Sequence, residues 1–207
     1  MLEICSCLVD RSRLNELHYI TKIENVPSML ELGILSHRRA ERIPHSSVAM
    51  EVIQERRAKK VIPGGQRLHD YVNLYINGRN VMMSKVLYES SVDEMCLLRV
   101  HTAVLDLPGA VLADQNASSD YVRFSNAATG LAQIRDDYVF AESWKHPDNQ
   151  IEEWRHKSAM CAEILVSGLV NPDYIIGVYV GSDTAREDIT TLAPSLDVTT
   201  DQYKFFR

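Results

Sequence analysis

The chain has 207 residues, 45% apolar and 24% charged, which is enough to bury a core and rules out wholesale disorder. A net charge of −6 argues against a simple basic nucleic-acid binder. No apolar run approaches the roughly 18–20 residues that cross a bilayer. The start, MLEICSCLVDRSRL, carries Glu3 and Asp10 and no small-residue cleavage site, so it does not read as a signal peptide.

In chain order, LHYIT (17–21) reads as a strand. Asn25 is placed to cap a short helix with Pro27 in its first turn, and Gly33 stops it. Ser46 or Ser47 is expected to open a second helix with Val48, Ala49, Val52 and Ile53 on one face. Pro63-Gly64-Gly65 breaks the chain before YVNLYIN (71–77), which alternates cleanly. Val72, Leu74 and Ile76 belong to the core, while Tyr71, Asn73, Tyr75 and Asn77 suit either solvent or the wall of a polar cleft.

A helix is predicted over 81–88, with strands near 95–101 and 110–113. A Ser/Asp/Asn-rich stretch runs from Asp114 to Asn126, and 131–157 reads as helix and loop. AMCAEILV (159–166) and YIIGVYV (174–180) read as paired or neighbouring buried strands. A helix from about Ser182 and a terminal strand or two complete one α+β domain over residues 1–207, without a regular βαβ rhythm.

The charge is unevenly spread. Residues 37–67 hold eight basic and three acidic side chains, a net of +5, so the remainder carries −11. Such an island is either an anion site or a solvated helix face. Glu163 stands in a stretch where seven of eight residues are apolar, so it lies at a wet strand edge or in a cleft that holds a carboxylate at some cost. Arg57, in IQERRAKK, read singly is one of several solvated arginines. Cys5, Cys7, Cys96 and Cys161 are too scattered for a disulfide framework or a zinc site and read as reduced thiols of a cytosolic protein. The histidines show no metal-ligand spacing, and no metal is expected. Phosphate-binding glycine motifs, the zinc-hydrolase motif and the serine elbow are all missing.

Four segments in order resemble one family. IQERRAKKVIPGGQRLHDYVNLYINGRNVMM (53–83) is similar to the signature of the DarT family of DNA ADP-ribosyltransferase toxins. LHYITKIENVPSMLELGIL (17–35) resembles that family's opening strand, helix and turn, and MCAEILVSGLVNPDYIIGVYVGS (160–182) its glutamate-bearing strand. LAQIRDDY (131–138) is a weaker match between them.

The resemblance implies an ADP-ribosyltransferase fold, with two bent, mostly antiparallel sheets around an NAD⁺ cleft. It implies Arg57 and Glu163 as catalytic residues. Tyr19, Ile20, Thr21, Ser28, Ser36, Arg57, Tyr71 and Tyr75 would meet NAD⁺, and residues 42–59 would fold over it. Arg56, Arg79 and Asn116 would meet the substrate, single-stranded DNA, presented by the loop over 114–162. It also implies an antitoxin partner that removes ADP-ribose. Tyr19 and Asn116 stand where the family often has His, and Asn73 and Leu74 replace a common Pro-Phe. These departures border the substrate side and incline the reading toward guanine over thymine. A transferase acting on RNA or protein, or a non-catalytic nucleic-acid-binding module, stays open as an alternative.

Overall fold

The computed structural model describes Arg11 and residues 14–48 and 51–207. The stretch read for a signal peptide, with Cys5 and Cys7, lies outside the described residues apart from Arg11 and Leu14.

Strand β1 (Glu16–Lys22) runs through a 3-10 turn into α1 (Val26–Leu32), β2 (Ile34–Leu35), α2 (His37–Ala40) and α3 (Glu51–Lys59). Then come β3 (Tyr71–Tyr75), α4 (Val81–Glu89), β4 (Met95–His101), β5 (Val111–Ala113) and β6 (Phe124–Asn126). Helices α5 (Asp136–Val139) and α6 (Gln150–Ala159) lead to β7 (Glu163–Ser167) and β8 (Leu169–Val170). The chain ends with β9 (Ile175–Val180), α7 (Asp183–Leu192) and β10 (Val198–Thr200). Ser182 caps α7, its hydroxyl accepting from the Ala185 N–H at 3.1 Å. No helix among the described residues is long and apolar enough to cross a membrane.

The sheet order is β10-β9-β4-β1-β3-β7-β5-β6, with β2 and β8 as a separate pair. Every pairing is antiparallel except β9 with β10. β1 pairs with β4 from Glu16 to Lys22 but touches β3 at one position, His18 opposite Tyr75. Two four-stranded halves therefore meet at a seam that opens past that bridge. Val72, Leu74 and Ile76 enter the main core with Leu17, Leu98 and Ile164, as the alternation predicts. Tyr71 and Tyr75 join smaller clusters on the other face.

Several expectations need correction. The strand predicted over 159–166 begins at Glu163, because Ala159 ends α6 and the next residues turn, with the Cys161 N–H on the Ser158 carbonyl. β7 and β9 are not neighbours, since β3, β1 and β4 lie between them. Ser46 and Ser47 precede α3 rather than opening it, Ala49 is outside the described residues, and so is the side chain of Val52. Asn25 makes no side-chain cap bond to α1. Gly33 does end that helix, at φ +82, where a Cβ would lie 2.4 Å from the Val170 carbonyl oxygen. The polar stretch 114–126 contributes β6, and one strand, β10, follows α7.

Buried histidines make the fold acid-sensitive. Burial pulls the His18 and His156 imidazoles below their ordinary value of 6.5, helped at His156 by the neighbouring His146. His156 Nδ1 lies 2.9 Å from His146 Nε2, and its ring stacks on Tyr138 at 4.2 Å. The folded chain keeps these rings neutral while the unfolded chain protonates near 6.5, so stability is complete above that pH and is lost as pH falls through the lower folded values. The Tm should fall between pH 7 and 5, and His156→Gln should flatten that slope. A Tm constant across the range would contradict this account.

Candidate active site

The register of three strands builds the centre of the site. Glu163, the first residue of β7, stands opposite Tyr75 of β3 and Ala113 of β5, so these side chains share one face. Its carboxylate is fully buried. Arg57 reaches it from α3, with Nη1 3.2 Å from both Oε1 and Oε2. The Ala117 N–H donates to Oε1 at 2.9 Å. The site thus meets the cost of burying a charge with an opposite charge and a backbone donor.

The solvated reading of Arg57 is overturned. Its side chain is 7% exposed, while Arg56 beside it faces solvent. The inner face of α3 is therefore polar and looks onto a carboxylate.

The cleft follows the seam. Tyr19, Ile20 and Thr21 line it from β1, Ser28 from α1, Tyr71 and Tyr75 from β3, together with Arg57 and Asn116. Burial raises the Tyr19 phenol above its ordinary range, and burial with the nearby Glu163 raises that of Tyr75 well above. Both stay protonated at ordinary pH and can donate to a ligand oxygen. Residues 43 and 45–48 line the same cleft. Asn25 fixes this segment: its amide donates to the Ser46 carbonyl at 2.8 Å and accepts from the Ser46 N–H at 3.0 Å. A second bond from the amide, to Thr21 Oγ1 at 3.2 Å, ties the clasp to β1.

Three expected site residues do not line this cleft. Ser36 is buried with its N–H on the Gly168 carbonyl, and its neighbours Leu35 and His37 line the cleft instead. Arg56 lines an adjoining groove, which meets the cleft at Asn116. Arg79 lines neither space. Its guanidinium donates to the Glu142 and Tyr203 carbonyls, both at 2.9 Å, and lies over the Tyr203 and Phe206 rings at 4.4 and 4.1 Å. The C-terminal turn, distant in sequence, folds back and engages it.

Sequence reasoning missed the Ala117 N–H, which a backbone donor does not advertise, and the Asn25 clasp. It also missed His37, which lines the cleft with its ring tilted at 45° to that of His69, centroids 4.1 Å apart. Cys161 is no nucleophile, since burial pushes its thiol up to about 12. No group of three or more His, Cys, Asp or Glu among the described residues is placed to hold a metal ion.

The fold, a mixed sheet flanked by helices, matches solved DarT structures. The match to Thermosipho africanus DarTG in complex with ADP-ribose has a TM-score of 0.81 at 27% identity and covers 93% of this chain and 51% of that one. Thermus sp. 2.9 DarT in complex with ADP-ribosylated ssDNA matches with a TM-score of 0.81 at 22% identity, over 96% of this chain and 99% of that one, which is a likeness of fold.

Residues 18–206 match the family model described as "ssDNA thymidine ADP-ribosyltransferase, DarT", and the chain belongs to that family. It is 30% identical over 185 residues to a "DNA ADP-ribosyl transferase-DNA ADP-ribosyl glycohydrolase fusion protein" of Thermosipho africanus (strain H17ap60334). That alignment covers 86% of this chain and 45% of the relative, so the chain spans about half of the fusion protein. A "DNA ADP-ribosyl transferase" of Thermus sp. (strain 2.9) is 29% identical over 143 residues, 63% of this chain and 67% of the relative.

Proposed function

We propose that the chain transfers ADP-ribose from NAD⁺ to a base of single-stranded DNA and releases nicotinamide. Arg57, which lines the cleft, paired with the fully buried Glu163 behind it, is the observation that carries this reading. In the reaction the ribose C1′–nicotinamide bond breaks with its electron pair leaving on nicotinamide, and positive charge builds on the ribose as in glycoside cleavage. A base nitrogen then bonds to C1′ and loses a proton.

A carboxylate at that point stabilises the developing cation, holds a ribose hydroxyl and accepts the proton. Arg57 orients Glu163 in the resting site and offers a cation to phosphate or to the target base. Tyr19 and Tyr75 supply donors, and the segment clasped by Asn25 covers the donor nucleotide. A base paired in a duplex is stacked out of reach of a cleft, which favours single strands.

The fusion of a transferase with a glycohydrolase in the Thermosipho relative supports a toxin role, countered by a partner that removes the modification. Free, buried Cys96 and Cys161 suit work in the cytosol. The departures at Tyr19, Asn73, Leu74 and Asn116 favour guanine as target, whereas the matched family model is described for thymidine. Thymine is therefore the first base to test, with guanine second.

The test is incubation with NAD⁺ and four single-stranded oligonucleotides, each with one base type in an inert context, read by intact mass. One added ADP-ribose on a single oligonucleotide names the base. NAD⁺ consumption without any adduct would shift the substrate to RNA or protein, and no turnover would leave a binding module.

A further inference from the structure

Two groups outside β7 hold the Glu163 carboxylate: Arg57 of α3, and the N–H of Ala117, which belongs to a tight turn over residues 116–119. The turn is built from its own atoms. Asn116 Oδ1 accepts from the Ser118 N–H at 2.9 Å and from the Ser118 hydroxyl at 2.7 Å, and the Ser119 N–H donates to the Asn116 carbonyl at 2.9 Å. Among the described residues, hydrogen bonds fasten it to three other parts of the chain. The Asn116 N–H reaches the Ser158 carbonyl of α6 at 2.9 Å, the Ala117 N–H reaches Glu163 of β7, and the Lys60 ammonium reaches the Ser119 carbonyl at 2.7 Å.

Lys60 comes directly after α3, about one helical turn beyond Arg57. Its backbone is anchored, with the N–H on the Arg57 carbonyl at 3.2 Å and the carbonyl accepting from the Leu68 N–H at 3.0 Å. The half-buried side chain makes no ion pair among the described residues and donates to a neutral carbonyl. A lysine head normally stays in water, because fixing the long stem costs rotamer freedom. At 2.7 Å this one makes a short, charge-assisted bond to a backbone atom of a loop distant in sequence.

We propose that Lys60 is a positioning residue that locks the 116–119 turn to α3 and so decides how NAD⁺ is divided between transfer and hydrolysis. The inference rests on the proposed function. Arg57 to Glu163, Glu163 to Ala117 and Ser119 to Lys60 close a ring of contacts that returns to the end of the same helix. When a ribose hydroxyl takes a carboxylate oxygen, the first two links loosen, since they share Oε1. The Lys60 link does not involve the carboxylate and keeps the turn in place through the reaction. A displaced turn carries Asn116, which lines the cleft, out of position and lets water compete with the base. The water oxygen then bonds to C1′ as nicotinamide leaves with its electron pair, the water gives up a proton, and free ADP-ribose is the product.

Nicotinamide release counts every turnover and intact mass counts transfer, so together they give the ratio of transfer to hydrolysis. At a saturating concentration of the oligonucleotide that accepts ADP-ribose, Lys60→Met should lower this ratio by roughly 10- to 100-fold, the scale of one charged hydrogen bond. KM for NAD⁺ should not change. Lys60→Arg, which keeps the charge and a donor, should restore most of the ratio. Lys59→Met removes a charge from the neighbouring, exposed position and should leave the ratio as it is. The ratio does not depend on how much of the chain is folded, so lost stability alone does not move it. Hydrogen exchange on the ligand-free chains is independent of turnover: the amides of Asn116, Ala117 and Ser119 should exchange faster in Lys60→Met and not in Lys59→Met.

An unchanged ratio in Lys60→Met would overturn the proposal, and so would unchanged exchange at those three amides. A raised KM for oligonucleotide with the ratio intact would make Lys60 a contact for the strand instead of a tether. No adduct from the unsubstituted chain would reject the proposed function, and with it the division of NAD⁺. The exchange measurement would then still decide whether Lys60 fixes the turn.

Discussion

Glu163→Gln is expected to lower NAD⁺-dependent transfer by roughly 10³-fold, the scale of losing a positioned base and its charge stabilisation. The substitution keeps the shape of the side chain. Its remaining oxygen still accepts from the Ala117 N–H, so the end of β7 stays anchored. What disappears is the negative charge, together with one acceptor for Arg57. Losing a charged hydrogen bond costs about 1.5–3 kcal/mol, which in a chain of this size lowers Tm by about 3–12 °C. The variant should therefore be folded and inert at 25 °C. Intact-mass transfer assays and a thermal melt on the same sample check both halves, and transfer within tenfold of wild type would sink the proposed role.

Arg57→Ala is expected to remove activity and to cost more stability, about 3–5 kcal/mol, because it leaves a fully buried carboxylate with only the Ala117 N–H for compensation. The pair should then behave non-additively. Adding Glu163→Gln on top of Arg57→Ala removes the uncompensated charge, so the double variant should melt higher than Arg57→Ala alone while remaining inactive. Thermal melts of the four chains complete the cycle. Simple additivity, with the double variant the least stable of the four, would mean that the ion pair is not the coupled unit described above.

The sheet strands were legible where alternation was strong. YVNLYIN announced both of its faces, and Val72, Leu74 and Ile76 did go inward. AMCAEILV misled because a helix end and a strand, both apolar, abut without a Gly or Pro between them. Arg57 illustrates the limit on the site. Nothing within α3 separates it from Arg56; a strand more than a hundred positions later does, by offering Glu163.

Asn25 carried a true signal that admitted two uses. A side chain that can cap a helix can equally bind a passing backbone, and the distant Ser46 took it. Arg79 is likewise engaged by partners far away in the chain, Tyr203 and Phe206.

The seam at His18 and Tyr75 also bears on how this chain behaves beside its own copies. An eight-stranded sheet usually presents two long outer borders that another molecule could extend by hydrogen bonding. Here β1 and β3 share the single bridge of His18 opposite Tyr75, so their unpaired borders lie in the middle of the sheet order rather than at its ends. The outermost strands of the eight-stranded sheet, β10 and β6, are each three residues long. Opening the sheet from within thus gives it room for a ligand and at the same time leaves little template for aggregation.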